Sequence, residues 1–348
     1  MRIAFVVNDV MTEEPGYTTT RLSMTAINLG HEAWTLGVGD FVYDPCGAIL
    51  AHARTVKKEN YRSTNAYLKD LQGDDARLER INADGIDALL LRNDPAEDAA
   101  EQPWAQTSGI LFGLLAAKRG SIVLNDPANL ATAINKTYFQ QFPEGVRPRT
   151  CISRDAKEIR DFVDSQKGKA VLKPLQGSGG QNVFLIRPKD KANVNQMIEA
   201  VVRDGYAIVQ EYLPAAAEGD IRLFVMNGNA LKHKGKYAAF KRVSENGDLR
   251  NNLHAGGKIQ RADVDESTLQ LVEMVRPKLI SDGMFLVGLD VVKDKLMEIN
   301  VFSPGGLGSA QQVTDVDFCE AIIEALERKV HYKACYNADI SNVQIATL

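Results

Sequence analysis

The sequence predicts an α/β domain with a parallel sheet in the N-terminal third, followed by an α+β region built on antiparallel strands. The N-terminal third alternates short apolar runs with helical segments, which is the rhythm of β-α-β units. From about residue 126, one helical segment is followed by several strand-like runs with short connections, which is typical of antiparallel pairing. The last predicted hairpin contains Asp290, Glu298 and Asn300 among apolar residues, which raises the question of what these oxygen atoms bind.

Four apolar runs and two helical segments make up the N-terminal third. The predicted elements are the strands RIAFVV (2–7), AWTLGV (33–38), ALLLRNDP (88–95) and SIVLNDP (121–127) and the helices at 18–32, with a stop at Gly30, and 108–120. In parallel sheets, ligands lie beyond the carboxyl ends of the strands, where RNDP (92–95) and NDP (125–127) stand. Asn, Asp and Pro also end strands in any protein, so each segment alone has a plain turn interpretation.

The second region predicts strands in succession. They are AVLKPL (170–175), NVFLIR (182–187), AIVQEYL (207–213), DIRLFVMNG (220–228), LKHKGKYAA (231–239) and the hairpin LVGLDVVKDKLMEINV (286–301). Residues 336–348 carry no clear periodic signal, and we expect a loosely docked extension there.

Length and composition are those of an ordinary soluble globular protein. The chain has 348 residues, of which 45% are hydrophobic and 25% are charged. A chain of this length can bury a hydrophobic core that is stable without disulfides or structural metals. Lys and Arg number 41 against 45 Asp and Glu, so the formal net charge is −4. Because the chain has no overall positive field, nucleic acid is not predicted as a partner, and any phosphate binding must be local.

The cysteines and the first residues predict a cytoplasmic protein. Cys46, Cys151, Cys319 and Cys335 show no CxxC pair and no metal-finger spacing, which favours reduced, structural thiols. The opening MRIAFVVNDV lacks the long apolar segment of a signal peptide, and no apolar run reaches transmembrane length. We therefore expect neither secretion nor membrane insertion.

The geometry of the last hairpin depends on its turn. Glu298 and Asn300 are two residues apart, so they project from the same face of a strand. A three-residue loop would place Asp290 directly opposite Glu298, whereas a two-residue loop would pair Asp290 with Met297 and put Glu298 on the other face. Two carboxylates and an amide suit Mg²⁺, which completes its shell with water and phosphate oxygens. A solvated hairpin face is the simpler interpretation of this pattern taken alone.

The segment VLKPLQGSGGQNVFLI (171–186) places Lys173 before a glycine-rich loop between two strands. Glycines let the backbone approach another group closely, so that successive N–H groups can face phosphate oxygens. The loop is neither a Walker A motif nor a dinucleotide fingerprint, and a plain glycine-rich hairpin is the alternative. A buried lysine on the preceding strand favours a phosphate, because a buried cation needs a partner. The loop residues are Gly177, Ser178, Gly179 and Gly180.

Further candidates flank this segment. Lys136 opens the helical NKTYFQQF and is a second candidate phosphate cation, although taken alone it would be a surface lysine. VQEYLP (209–214) predicts a strand running into a crossing between lobes, stopped by Pro214, whose backbone groups could contact an adenine edge. The polar, glycine-rich loop at 244–257 predicts a cover that closes over a site. The charged candidates near the predicted hairpin are Asp220, Arg222, Arg242 and Arg250.

In order and spacing, these motifs resemble an ATP-grasp ligase, and more closely a prokaryotic glutathione synthetase. The ligase motifs are Lys136, Lys173, QGSGG, QEYLP, GDIR, RNNLHAGG and GLD…EINVFSP. GVGDF, AHARTVKKENY, LLRNDP and LNDPANL are similar to the N-terminal domain of that family, so the likeness runs from residue 1 to about 330. It implies an ATP-grasp fold in which two antiparallel lobes clamp ATP. The implied divisions are a Rossmann-like domain (1–125), a lid lobe (126–213), a catalytic lobe with the hairpin (214–335) and a tail (336–348).

The resemblance implies a role for each candidate. Lys136 and Lys173 would bind ATP phosphates, with the glycine loop closing on them. The implied adenine contacts are Glu211, Tyr212 and Leu213, and the ribose contact is Asp220. The implied ligands of two Mg²⁺ ions, with Mn²⁺ as an alternative metal, are Asp290, Glu298 and Asn300. The residues implied to neutralise the transferred phosphoryl group are Arg222 and Arg242, and Arg250 is a further catalytic candidate.

The resemblance also implies a two-step reaction. A substrate carboxylate attacks the γ-phosphate of ATP to give an acyl phosphate, and an amine then displaces phosphate to form an amide. Because water would destroy the acyl phosphate, the chemistry requires a closing cover, for which the 244–257 loop is the candidate.

The leading hypothesis is an enzyme that joins γ-glutamylcysteine to glycine. The alternatives are a ligase that attaches another amino acid or amine, including to a peptide, and a non-catalytic nucleotide-binding protein. The resemblance further implies a homo-oligomer formed through the N-terminal domain.

Two segments depart from the family pattern and bear on the substrates. SPGGLGSAQQ (303–312) is glycine-rich and uncharged where the family has SPT followed by arginine and acid, and it is nearer to the SPGL segment of ribosomal-protein glutamate ligases. Arg92 is followed by Asn93 where the family has arginine then lysine. We expect these departures to change the choice of acceptor and to leave ATP use intact. The candidate substrate-binding residues are Arg92, Asn252, Ser303, Gly305 and Gly306.

Overall fold

The computed structural model describes residues 1–98, 101–177, 182–243, 258–336 and 339–348, which form three main sheets. The strands of the N-terminal sheet are β1 (Arg2–Val7), β2 (Glu32–Gly37), β3 (Phe41–Tyr43), β4 (Ile49–Thr55), β5 (Arg77–Asn82), β6 (Ala88–Leu91) and β7 (Ile122–Leu124). Their order is β3-β4-β2-β1-β6-β7, with β5 paired to β4. The helices of this part are α1 (Thr18–Asn28), α2 (Thr64–Gln72), α3 (Pro95–Asp98), α4 (Ala105–Lys118) and α5 (Pro127–Leu130).

The predicted parallel sheet is confirmed in four adjacent strands, β2, β1, β6 and β7. β1 runs parallel to both β2 and β6, and β6 runs parallel to β7. These strands are almost continuously apolar because helices cover both faces of the sheet. The antiparallel extension through β3, β4 and β5 was not predicted from the sequence. β4 alternates buried and half-buried side chains, a pattern typical of a strand with one wetter face.

The second sheet is four-stranded and antiparallel throughout. Its strands are β8 (Thr150–Ser153), β9 (Ala170–Pro174), β10 (Phe184–Ile186) and β11 (Ala207–Glu211), in the order β10-β9-β11-β8. Two amphipathic helices, α6 (Ala156–Ser165) and α7 (Val194–Val202), cover one face and bury Ile159, Val163 and Ile198 against Leu172 and Val209. This sheet therefore has a separate core of its own.

The third sheet carries the predicted hairpin. Its strands are β12 (Asp220–Met226), β13 (Asn229–Ala230), β16 (Ala239–Val243), β17 (Lys258–Arg261), β18 (Leu286–Val292) and β19 (Lys295–Asn300), in the order β17-β16-β12-β18-β19 with β13 on β12. All these pairs are antiparallel, as predicted. The helices that follow β17 are α8 (Glu266–Ser281), α9 (Leu307–Thr314), α10 (Phe318–Cys335) and α11 (Asn342–Thr347).

The strand predicted at 231–239 is in fact a small separate hairpin. It consists of β14 (Lys232–His233) and β15 (Lys236–Tyr237). Lys234 and Gly235 both have positive φ, 46° and 78°, which reverses the chain in two residues. The prediction failed here because the alternation of apolar and basic residues in this segment is typical of a longer strand. The turn is marked only by Gly235 and the residue before it, which is a weak signal for a break in the strand.

The N-terminal sheet and the third sheet are held together at the end of β7. Asn125 accepts a hydrogen bond at Oδ1 from the Leu286 backbone N–H over 2.9 Å and donates from Nδ2 to the Leu286 carbonyl over 3.1 Å. It also donates to the Val301 carbonyl. The NDP segment therefore does more than end a strand, because one buried amide side chain fixes the base of the β18–β19 hairpin against the first domain.

The C-terminal segment is firmly docked, so the prediction of a loosely docked extension is wrong for residues 339–348. Ile345 and Ala346 on α11 are buried. The Asn342 side chain exchanges two hydrogen bonds of 2.8 Å with the Val123 backbone, which satisfies the outer edge of β7. The fully buried Lys329 ammonium donates to the Asn227 side chain and to the Ile345 and Leu348 carbonyls over 2.8–3.1 Å. The C-terminal segment is docked largely by these specific hydrogen bonds, and the periodicity of apolar residues in the sequence gives no sign of them.

None of the helices in the described ranges has the length and apolar character needed to cross a membrane.

Candidate active site

One face of the third sheet is polar, and the strand register explains why. Asp220 pairs with Arg242, and Arg222 pairs with Asp290. Paired residues project from the same side of a sheet, and so do residues two apart on one strand. The intervening residues, such as Leu223 and Leu289, are buried on the opposite side. The polar face comprises Asp220, Arg222, Arg242, Asp290, Glu298 and Asn300.

In the β18–β19 hairpin, a β-bulge together with a two-residue turn gives the geometry that was predicted for a three-residue loop. Val292 pairs with Lys295, so the turn has two residues. A register shift then leaves Met297 as the extra residue of a β-bulge and brings Glu298 opposite Asp290. Asn300 lies on the same face and donates weakly from Nδ2 to Asp290 Oδ2 over 3.5 Å. The predicted convergence of Asp290, Glu298 and Asn300 is confirmed.

Two arginines hold the buried acids of this face. Arg222 donates to Asp290 through a bidentate pair, with Nε to Oδ1 at 2.5 Å and Nη2 to Oδ2 at 3.1 Å. Arg242 Nη2 lies 3.0 Å from the same Oδ1, and Arg242 also donates to Asp220 from Nε over 3.0 Å. Burial alone would raise the pKa of Asp290, but the Arg222 and Arg242 guanidiniums outweigh it and hold that pKa at about 2. Asp290 is therefore a carboxylate at any physiological pH.

The two predicted phosphate lysines face this polar surface from the second lobe. Lys173 lies on β9, and burial lowers its pKa to about 8, although the nearby Glu298 carboxylate opposes that shift. Lys136 begins a 3₁₀ helix (Lys136–Gln141) and donates from Nζ to the Gly177 carbonyl over 2.6 Å. Asp94, from the RNDP segment, lies within electrostatic reach of both Glu298 and Lys136, and burial raises its pKa. The N-terminal domain, through Asp94, the second lobe, through Lys136 and Lys173, and the third sheet, through Glu298, therefore meet at one site.

The predicted adenine-binding segment is where β11 ends. The Glu211 carboxylate accepts from the Arg149 backbone N–H over 2.9 Å, and the Glu211 N–H donates to the Arg149 carbonyl over 3.0 Å. The Lys169 ammonium lies 3.9 Å from the centre of the Tyr212 ring. A 3₁₀ helix (Pro214–Glu218) begins directly after Leu213 and leads to β12. This stretch is the crossing that the sequence predicts after the strand in VQEYLP.

The predicted substrate residues meet at the loop after β19. Arg92 is buried at the end of β6 and donates from Nη2 to the Pro304 carbonyl over 3.1 Å. Arg222 Nη1 donates to the Gly305 carbonyl over 3.1 Å. Gly306 has φ of 108°, and a side chain there would lie 2.7 Å from the Phe240 ring, so only glycine fits. Ser303 is half-buried in the same loop.

Several residues of this centre escaped the sequence reasoning. The first turn of α1 carries buried hydroxyls, of which Thr19 accepts from Arg92 Nε over 3.2 Å and Thr18 accepts from the Leu307 N–H over 3.3 Å. Arg21, one turn further on, donates to the Gln311 side chain and has a buried Nε without a hydrogen-bond partner among the described residues. The signal available was the TTT run (18–20) that begins the first helix after β1, near the carboxyl edge where ligands bind in parallel sheets.

Part of the predicted site lies outside the described residues. These are Ser178, Gly179 and Gly180 of the glycine loop, Arg250, Asn252 and the whole of the 244–257 cover.

The oxygen atoms on the hairpin fit Mg²⁺. Asp290 and Glu298 offer carboxylates and Asn300 an amide, a set of hard donors suited to a cation that keeps part of its water shell. A carboxylate has about four lone-pair positions, and Asp290 uses them to accept from Arg222, Arg242 and, weakly, Asn300, so a bound cation would replace one of these donors. Among the described residues, no group of three or more His, Cys, Asp or Glu side chains is placed to hold a metal ion, so the hairpin set depends on the Asn300 amide as its third donor.

Comparison with known proteins gives consistent matches along the chain. The family model for the N-terminal domain of prokaryotic glutathione synthetase matches residues 1–131, and the model for its ATP-grasp domain matches residues 135–315. The chain is 33% identical to a glutathione synthetase of Gloeobacter violaceus over 94% of its own length and 96% of the relative. It is 30% identical to that of Synechococcus elongatus over 95% and 99%.

Solved structures match the whole fold at low identity. The D-cycloserine synthetase DcsG superposes with a TM-score of 0.61 at 14% identity, covering 93% of this chain and 99% of that one. A RimK-domain ATP-grasp protein of Sphaerobacter thermophilus gives a TM-score of 0.56 at 16% identity, covering 93% and 98%. These likenesses establish the ATP-grasp fold, in agreement with the sequence prediction.

Proposed function

The chain belongs to the prokaryotic glutathione synthetase family, and from this premise we propose that it joins γ-glutamylcysteine to glycine, forming glutathione, ADP and phosphate. It is an ATP-grasp ligase that forms amide bonds and uses ATP with Mg²⁺. The observation that carries the proposal for its site is the convergence of Asp290, Glu298 and Asn300 beneath Lys136 and Lys173. Two Mg²⁺ ions, with Mn²⁺ as a substitute, are part of the proposal.

In this proposal the lysines and the hairpin position ATP. Lys136 and Lys173 bind phosphate oxygens, and the backbone of Glu211 to Leu213 contacts the adenine. Asp290, Glu298 and Asn300 hold Mg²⁺, which when bound screens the triphosphate charge and makes the γ-phosphorus a better electrophile. We keep Asp220 as the ribose contact. Because Asp220 is also held by Arg242, its carboxylate has a fixed orientation before any nucleotide arrives.

The arginines and the Pro304–Gly305 loop position the reacting groups. A donor carboxylate oxygen attacks the γ-phosphorus and ADP leaves with the bond electrons. The neutral acceptor amine then attacks the acyl carbon, phosphate leaves with the C–O bond electrons, and the nitrogen loses one proton to the departing phosphate. Arg222 and Arg242 reduce the repulsion between the donor carboxylate and the phosphate, since both guanidiniums lie on the polar face. Arg250, Asn252 and the 244–257 segment complete the proposed site by resemblance alone.

On the acceptor side, Arg21 supplies a guanidinium that the 303–312 segment lacks. A side chain at Gly308 would lie 3.4 Å from Arg21 Nη1, so this arginine covers the uncharged first turn of α9. It is a suitable partner for the carboxylate of an acceptor amino acid. The small residues of the segment also leave room for an acceptor larger than glycine, which favours a ligase for another amino acid as the second candidate.

A substrate panel tests the proposed function. The protein is incubated with ATP, Mg²⁺ and a donor, with and without each acceptor, and both phosphate release and the amide product are measured. We expect product with γ-glutamylcysteine and glycine, and detectable product with alanine or serine in place of glycine. Strict preference for glycine would contradict the relaxed acceptor choice. No product from γ-glutamylcysteine with any acceptor would contradict the proposed donor and favour the second candidate.

The remaining assignments rest on fewer observations. We propose the domain limits 1–125, 126–213, 214–335 and 336–348, which agree with the division into three sheets and a docked C-terminal helix. We propose a cytoplasmic location, which the free thiols of Cys46, Cys151, Cys319 and Cys335 support.

A homo-oligomer is also part of the proposal, and an exposed apolar face on α4 supports it. Trp104, Leu111 and Leu115 lie on one side of this helix and are 57%, 56% and 37% exposed. Tyr43 is 60% exposed on β3, whose Phe41 ring stacks on Phe112 of α4. Several large apolar side chains exposed on one side of a helix are typical of a contact surface.

Replacing Leu111 by Glu is expected to lower the molar mass measured by light scattering after gel filtration, because a charge would have to be buried in the contact. Leu29→Glu, at the exposed end of α1, is the matched control and should leave the mass unchanged. A wild-type monomer would contradict the oligomer and leave the ligase assignment intact.

A further inference from the structure

Two oppositely charged side chains, Glu13 and Arg92, lie near each other at the carboxyl edge of the N-terminal sheet. Arg92 follows β6, is only 5% exposed, and is fixed by Thr19 Oγ1 and the Pro304 carbonyl. Glu13 lies in the loop between β1 and α1, and its Oε2 accepts from Thr20 Oγ1 over 3.1 Å. Adjacent threonines of one helical turn therefore orient the guanidinium and the carboxylate.

The loop that carries Glu13 is itself held in place. The Gln72 side chain donates to the Glu13 carbonyl over 3.0 Å and to the Val10 carbonyl over 2.8 Å. Asp9 caps the short 3₁₀ helix (Val10–Thr12) by accepting from the Met11 N–H over 2.8 Å. These contacts hold the backbone from Asp9 to Glu13, and the Thr20 hydroxyl orients the Glu13 carboxylate.

The two charges lie near each other without forming an ion pair. Arg92 is among the charged groups that lower the pKa of Glu13, yet the described residues contain no direct ion pair between them. Burial dominates at both positions: it raises the pKa of Glu13 to about 7 and lowers that of Arg92 to about 10. A desolvated carboxylate and a desolvated guanidinium that are held apart lack the compensation that buried charges normally have.

We propose that Glu13 and Arg92 together bind the α-amino-acid head group of the donor, with its ammonium on Glu13 and its α-carboxylate on Arg92. The inference rests on the proposed function, because γ-glutamylcysteine carries such a head group at the end remote from its reacting carboxyl. Arg92 and Arg222 bind the consecutive carbonyls of Pro304 and Gly305, so the two ends of an extended dipeptide can lie on either side of this loop.

The chemistry of the reaction favours the donor over the acceptor as the occupant. The acceptor amine must be neutral to attack the acyl phosphate, and a carboxylate that binds its ammonium would hold it in the unreactive form. The donor ammonium takes no part in the reaction, so binding it strongly costs nothing in the chemical step. A site that binds a charged group also discriminates strongly against analogues that lack it.

The test compares γ-glutamylcysteine with N-glutarylcysteine, which lacks only the ammonium group. For the wild-type protein, we expect kcat/KM to be higher for γ-glutamylcysteine by roughly 10–100-fold, the size of a charged hydrogen-bonding contact. Glu13→Gln should reduce that ratio to near one by raising KM for γ-glutamylcysteine, with kcat changed little. Glu14→Gln, which removes a neighbouring exposed carboxylate, is the matched control and should keep the wild-type ratio.

The pH profile gives a second readout that a merely structural role would not change. The charged and titratable groups around Glu13 are Arg92 after β6, Glu97 on α3, and Glu14 and Tyr17 in its own loop. Because Glu13 is neutral below its pKa, kcat/KM for γ-glutamylcysteine should rise between pH 6 and 8 as the carboxylate ionises. The Glu13→Gln variant and the glutaryl substrate should both lack this rise. Thr20→Val, which removes only the orienting hydroxyl, should reduce the preference for γ-glutamylcysteine by a smaller factor.

Three outcomes would overturn the inference. If Glu13→Gln keeps the wild-type preference while γ-glutamylcysteine is still converted, the head group is bound elsewhere and only this inference fails. If Glu13→Gln raises KM for glycine and leaves that for γ-glutamylcysteine unchanged, the carboxylate serves the acceptor. If the wild-type protein converts no γ-glutamylcysteine with any acceptor, the proposed function fails and the inference fails with it.

Discussion

Replacing Glu298 by Gln is expected to lower kcat for amide formation by roughly 10²–10³-fold, the loss typical of removing one group that stabilises charge in a transition state. Glu298 faces Asp290 across the hairpin and provides one of the two carboxylates proposed to hold Mg²⁺ beneath the triphosphate. Its side chain is only half-buried, so the change removes a charge from the site and little from the core. Phosphate release and product formation at saturating ATP measure the effect.

The matched control is Asp294→Asn, which removes a carboxylate from the exposed turn of the same hairpin. We expect that variant to have wild-type activity, and both variants to keep the wild-type melting temperature. Raising the Mg²⁺ concentration should restore part of the activity of Glu298→Gln, because part of the loss arises from weaker metal binding. Wild-type activity in this variant, or unfolding at room temperature, would mean that Glu298 has a structural role instead.

Replacing Lys173 by Met is expected to raise KM for ATP by roughly 10–100-fold, the value of a charge-assisted hydrogen bond to phosphate. Burial desolvates the ammonium and lowers its pKa to about 8, and the Glu298 carboxylate is the main group that opposes this shift. A bound phosphate would replace the water that the Lys173 ammonium loses on burial. Binding of ADP with Mg²⁺, measured by calorimetry, isolates this effect from the later chemical steps.

Lys189→Met is the control for this change, because Lys189 is an exposed lysine in the same lobe and should leave nucleotide binding unaltered. The Lys173→Met variant should keep its affinity for the donor, which is proposed to bind on the other side of the Pro304–Gly305 loop. An unchanged KM for ATP would remove Lys173 from the phosphate site and leave Lys136 as its only proposed lysine.

The sequence by itself determined the class of each part of the fold and the identity of the polar set. Continuous apolar runs in β1, β2, β6 and β7 required a sheet covered on both faces, and their alternation with helices required parallel pairing. Asp290, Glu298 and Asn300 were recognisable because carboxylates and amides within apolar strands are costly unless they bind something. These features depend on local pattern, and local pattern is what a sequence displays.

The tertiary structure alone decided how the centre is assembled. The turn of the last hairpin has two residues, which by simple register would have separated Asp290 from Glu298, and a bulge at Met297 brings them together. No local signal specifies that bulge, since it is fixed by the pairing of β18 with its two neighbours. The same holds for Thr19, Arg21 and Glu13, whose roles arise because α1 and its loop lie beside residues roughly 80 or 290 positions away along the chain. Contacts over such separations depend on how the domains pack, and a single sequence does not contain that information in any local pattern.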